Sequence, residues 1–81
     1  MSGSLEERLA TCVATVFPEL SEGEVQRASS ASVANWDSLA MVTLVALVEE
    51  EFGIRMGFDD YEYASSYSLL LNYLRSRGAN G

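Results

Sequence analysis

The stretch NWDSLAMVTLVALVEEEF, residues 35–52, sets the terms for this chain. Between Asp37 and Glu49 it carries no charge, and at ~100° per residue its apolar side chains fall on nearly every side of a helix. Such a helix cannot leave all its faces to water, so the rest of the chain must wrap it. With 81 residues available, the result is one small domain with a modest core, expected within residues 4–77.

The elements that would do the wrapping are legible. Ser4 followed by Glu7 has the form of a capping box, and Leu5, Leu9, Cys12, Val13, Val16 and Phe17 then recur at helical spacing. A first helix over 5–17 is expected, closed by Pro18. Residues 19–36 read as a long connection, small and polar through ASSASVAN, with Val25 and Val33 as inward anchors. The second helix starts at Asp37 or Ser38, either of which suits an N-cap, and stops at Gly53. Met41, Leu44, Val45, Val48 and Phe52 form its core side. Leu39, Thr43, Ala46 and Glu50, with Leu47 at the edge, form a mixed apolar and acidic stripe continuing from Ser38. FDDYEYAS suits a short third helix, and Ser66 opens a last one in which Leu70, Tyr73 and Leu74 are inward and Gly78 is the stop. The fold class expected is all-α, a small four-helix bundle with a long loop between helices one and two and a short third helix.

Composition removes several kinds of function. The chain has no histidine and no lysine, so the commonest general base and the Schiff-base route are missing. One cysteine is too few for a zinc site, and Glu49, Glu50 and Glu51 are consecutive and fan apart around the helix as a solvated charge run. A non-catalytic protein is expected. Twelve acids against five arginines give a net charge of −7, which repels phosphate backbones and attracts basic protein patches. No long apolar span calls for membrane insertion, and a lone packing cysteine fits reducing, cytoplasmic surroundings.

The remaining question is the serine at the head of the apolar helix. A helix N-terminus has unpaired N–H groups and a positive dipole end, a favourable place for a phosphate, including one esterified to serine. Asp37-Ser38-Leu39, the apolar run to Glu49-Glu50-Glu51-Phe52, the turn Gly53-Ile54 and the closing segment from Ser66 to Leu74 together resemble the acyl carrier proteins. The likeness spans nearly the whole chain, including the long first loop and the spacing from the motif to the last helix.

That resemblance implies a 4′-phosphopantetheine arm joined to Ser38, supplied from coenzyme A by a phosphopantetheinyl transferase, holding an acyl group as a thioester. It implies that Asp37 aids the transferase and that Leu39 touches partners. Recognition is expected along Asp37, Leu39, Thr43, Ala46, Leu47, Glu49 and Glu50, by acyl-loading and acyl-processing enzymes with basic docking patches acting on a monomer. An acyl pocket is expected among Met41, Val48, Met56, Tyr61, Ala64 and Leu70, where the bulk of Tyr61 and Leu70 favours short cargo or cargo left outside. Fatty-acid-synthesis carriers usually bear acids in the first turns after the motif, whereas this chain has Ala40, Met41 and Thr43. A specialised lipid, polyketide or surface-glycan pathway fits better. Two other functions compete: a carrier of aminoacyl, peptidyl or aryl groups, and an unmodified helical interaction domain whose stripe docks a partner helix.

Overall fold

A computed structural model describes residues 4–77 as an all-helical fold. Helix α1 spans Leu5–Val16, α2 Glu22–Val25, α3 Ser38–Phe52 and α4 Tyr67–Ser76, and a 3-10 helix runs Phe58–Ser65 between α3 and α4. The expected stop at Gly78 lies outside the described residues.

Each start is written in the local sequence. Ser4 accepts from the Glu7 N–H at 3.2 Å while the Glu7 carboxylate accepts from the Ser4 N–H at 3.0 Å, the reciprocal capping box that the spacing predicts. Phe17 leaves helical geometry ahead of Pro18 and serves as C-cap. At the other end of α3, Gly53 has φ 66°, the left-handed conformation open to glycine, and both its N–H and that of Ile54 reach the Glu49 carbonyl. Ser66 caps α4 by accepting from the Leu69 N–H at 3.0 Å.

The first connection is more structured than its composition predicts. It contains α2, opened by a second reciprocal box in which Ser21 and Glu24 cap each other. The signal was the same S-x-x-E pattern as at residue 4, in a run too short to show a period. Its distal half is pinned to the start of α4: Ser30 donates to the Ser65 carbonyl at 2.8 Å and Tyr67 to the Ala28 carbonyl at 3.0 Å, forming a bridge between Ser29 and Ser66. Val25 and Val33 are buried as expected, and Ala28 and Trp36 join them.

The core is one continuous cluster. Leu9 and Val13 of α1, Leu44, Val45 and Val48 of α3, and Leu70 and Leu74 of α4 are its sealed centre. Three positions expected inside are only half-buried: Val16, Met41 and Phe52 pack against the cluster from its edge. Two of them lie near helix ends, where fewer neighbours surround a side chain. Phe52 lies under the Arg8 guanidinium, 4.7 Å from the ring centre, and Arg8 also grips the Glu51 carboxylate and carbonyl at 2.7 Å each. That clamp ties α1 to the last turn of α3. Among the described residues no helix is long and apolar enough to cross a membrane.

Candidate functional site

At the head of α3 the structure decides which residue is the cap. Asp37 is the N-cap, its carboxylate accepting from the Ala40 N–H at 2.9 Å, and Ser38 is the first helical residue. The helices α1, α2 and α4 all begin after a serine that caps them, at Ser4, Ser21 and Ser66. In α3 the serine is displaced by one position, and an aspartate does the capping. Ser38 is therefore relieved of structural work: it is exposed, and its hydroxyl makes no hydrogen bond among the described residues.

The backbone around it suits an anion. Ala40 and Met41 donate to the Asp37 side chain and carbonyl, which leaves the Ser38 and Leu39 N–H groups without an intrahelical acceptor. A phosphate on Ser38 Oγ would sit against these donors and the positive end of the helix dipole. The Asp37 carboxylate opposes this, but its charge is partly spent on the Ala40 N–H. On the chemistry of its donors, the site fits a phosphodiester.

What holds the serine in place is Trp36, which the sequence reading left without a structural role. Its indole is 4% exposed, stacks on Phe17 with ring centres 4.6 Å apart, and donates Nε1–H to the Ala64 carbonyl at 2.9 Å. One side chain thus fastens the residue two before Ser38 to the end of α1 and to the 3-10 helix. The signal was present: a lone tryptophan in a small, polar loop has few reasons to be there except burial.

The recognition stripe divides in the structure. Leu39, Thr43, Ala46 and Glu50 are exposed and Leu47 is half-buried at the edge. Leu39 is 76% exposed, and Val42, absent from the expected stripe, is 49% exposed beside it. Glu49 differs. It is half-buried, and its carboxylate accepts the Met56 N–H at 2.7 Å, fastening the turn after α3. With Glu51 held by Arg8, only Glu50 of the three glutamates behaves as the solvated charge expected of the whole run.

The expected pocket residues all belong to the one core cluster or its edge. Val48, Met56, Ala64 and Leu70 are buried in the common core, with Met41 and Tyr61 half-buried against it. Two surface cavities lie elsewhere, along α1. One of about 450 Å³ is bounded by Ala10, Ala14, Leu20 and Val25 with Glu6 and Glu22 on its rim, and one of about 230 Å³ lies among Thr11, Thr15, Leu47 and Glu50.

Titration is perturbed away from Ser38. Burial pushes the Cys12 thiol up to about 11, with Glu51 adding and Arg8 opposing, so this cysteine is a packing residue and a poor nucleophile. The phenols of Tyr67 and Tyr73 are raised too, by burial first, then for Tyr67 by Glu6 and for Tyr73 by its hydrogen bond to Asp60. The sequence matches no protein-family model.

Proposed function

We propose that the chain is an acyl carrier protein, modified on Ser38 by 4′-phosphopantetheine. The observation that carries this reading is the one-residue displacement at α3, where Asp37 takes the cap and the Ser38 hydroxyl is left exposed and unengaged. In the finer fold reading, α1, α3, the 3-10 helix and α4 are the four members of a carrier bundle, and α2 decorates its long first connection.

The chemistry asked of the chain is limited. Ser38 Oγ attacks the phosphorus of coenzyme A that bears the pantetheine, the new P–O bond forms as the pyrophosphate linkage breaks, and adenosine 3′,5′-bisphosphate leaves. The hydroxyl proton passes to a base on the transferase, because the chain has no histidine or lysine to receive it. Once attached, the group supplies a thiol that carries an acyl chain as a thioester to partner enzymes. Trp36 and Asp37 position the serine, while α3 offers the surface that partners hold.

Intact-protein mass spectrometry after incubation with coenzyme A, magnesium and a broad-specificity phosphopantetheinyl transferase tests this directly. A gain of one phosphopantetheine, absent from Ser38→Ala, is expected. No gain under conditions that modify a control carrier would refute it. The exposure of Leu39 and Val42 favours a second reading in that event, an unmodified interaction domain that docks by α3.

A further inference from the structure

We propose that the acyl group carried on Ser38 bears an amine, and that its ammonium is received in the cleft between α1 and α3 lined by Thr11, Cys12, Thr15, Leu47, Glu50 and Glu51. The inference rests on Ser38 being the modified residue and deepens that reading by naming a class of cargo.

The chemistry of the lining selects the occupant. Thr11 and Thr15 lie one turn apart on α1, and both are exposed. Each spends its hydroxyl proton on its own helix: Thr11 donates to the Glu7 carbonyl at 3.0 Å and Thr15 to the Thr11 carbonyl at 2.8 Å. Each oxygen keeps the capacity to accept. Across the cleft, Glu51 is neutralised by Arg8 at 2.7 Å, and Glu50 is an exposed carboxylate. Leu47 and Cys12 supply apolar lining. Two hydroxyl oxygens and a carboxylate around an apolar patch suit a short aliphatic chain that ends in a positively charged donor. Glu50 repels a carboxylate-bearing cargo. A plain alkyl chain takes water from these oxygens and returns no hydrogen bond.

The distances along α3 match the arm. Leu39, Thr43 and Leu47 are four residues apart and form one row that starts beside Ser38 and ends in the cleft. At ~1.5 Å of rise per residue, Leu47 is about 14 Å and Glu50 about 18 Å from Ser38 along the axis. The arm runs about thirteen bonds from phosphorus to sulfur, or ~15 Å extended at roughly 3.5 Å for every three bonds. The link from serine to phosphorus adds to this reach, as the inclined row requires. The thioester then lies near Leu47, and an amine about three bonds further on lies at Glu50. Helix α1 runs antiparallel to α3, with Phe17 stacked on Trp36 at one end and Arg8 bound to Glu51 at the other. A chain coming from Ser38 therefore meets Thr15 first and Thr11 next.

Size agrees with a tethered group. At about 230 Å³ the cleft is smaller than the ~300–1,000 Å³ of sites that enclose a whole small molecule, so it takes the end of a short chain. A flexible tether gives that end a millimolar effective concentration, at which a few weak contacts suffice. Such a hold also releases easily to an enzyme.

Two cargoes of equal length separate the possibilities. Coenzyme A thioesters of β-alanine and of butyric acid differ by an ammonium in place of a methyl group. Both would be loaded to completion onto wild type, Glu50→Gln and Thr15→Val by a broad-specificity phosphopantetheinyl transferase, with circular dichroism to verify the fold. Amide chemical shifts would be compared with those of the unloaded arm, and each thioester's hydrolysis rate with that of the same thioester on free coenzyme A. The β-alanyl group is expected to shift the amides of Thr11, Thr15 and Leu47 and to hydrolyse about three- to five-fold more slowly than on coenzyme A, the scale of one exposed ion pair. Glu50→Gln should abolish both effects, Thr15→Val should weaken them, and added salt should reduce them. The butyryl group should show neither. Equal shifts and protection with butyryl would overturn the proposal, because the cleft would then take any short chain. Absence of β-alanyl shifts on α1, or shifts that survive Glu50→Gln, would overturn it too, and in both cases the carrier reading stands. A wild-type chain that gains no arm refutes the assignment of Ser38 instead, and the proposal falls with it.

Discussion

Replacing Trp36 by phenylalanine tests the account of how the serine is positioned. The substitution keeps an aromatic ring against Phe17 but removes the Nε1–H that meets the Ala64 carbonyl at 2.9 Å. Ala64 is fully buried, so its carbonyl would be left without a partner, which costs about 1–3 kcal/mol. The lost indole volume adds about 1 kcal/mol at roughly 24 cal/mol per Å³ of cavity. A total near 2–4 kcal/mol is expected. At about 0.05–0.15 kcal/mol per residue, 81 residues hold about 4–12 kcal/mol, so the variant should fold, weakly. Urea denaturation followed by far-UV circular dichroism reads this loss as a midpoint lower by about 1–2 M, with unchanged slope. A separate cycle of Phe17→Leu with Trp36→Leu, each of which removes one of the two stacked rings, should show a coupling of about 0.5–1.5 kcal/mol. A loss below about 1 kcal/mol in Trp36→Phe would show that the indole bond does not anchor the motif.

Three further outcomes follow from named contacts. Asp37→Ala should cost about 1 kcal/mol by removing the α3 cap, whereas Ser38→Ala should stay within about 0.5 kcal/mol; the reverse order would return the cap to the serine. Glu49→Ala should cost about 1–2 kcal/mol, because it strips the acceptor from the Met56 N–H, and Glu50→Ala almost nothing, as thermal melts of the two would reveal. Stability should also fall in alkali. The folded Cys12 thiol holds its proton up to about 11 against an ordinary value of 9.0, so its contribution is whole below pH ~9 and is lost as pH rises through about 11. At 1.36 kcal/mol per pKa unit this is about 3 kcal/mol, and Tyr67 and Tyr73, raised above 10.0, act in the same sense. Urea midpoints should drop between pH 9 and 11, and less so in Cys12→Ala; identical drops would remove Cys12 from the explanation.

Much of the fold could be read before any coordinates because its signals are local. The Ser4 and Ser66 caps, the Gly53 stop and the inward spacing of Leu5, Leu9 and Val13 each depend on residues within one or two turns. The misreadings share a cause. Whether Glu49 is solvated depends on where Met56 returns after the turn, and whether Met41 is sealed depends on how far other elements reach along α3. Neither distance is encoded within a turn of the residue concerned. The helical turn at Glu22–Val25 is the exception, a local box overlooked because four residues show no period.

At the site the division is the same. The sequence by itself determined that an uncharged helix begins at Ser38, that an acid precedes the serine, and that the chain has no histidine and no lysine. Those facts rest on residue type and order. Only the tertiary structure decided that Asp37 and not Ser38 is the cap, and that Trp36 reaches across 28 positions to Ala64. It also decided that Leu39 and Val42 stay uncovered while Val45 and Val48, with the same chemistry, are sealed. A helix apolar on most sides does not say which side is inside. That choice belongs to α1 and the 3-10 helix, which pack on one flank of α3, themselves backed by α4, and leave the flank beside Ser38 open.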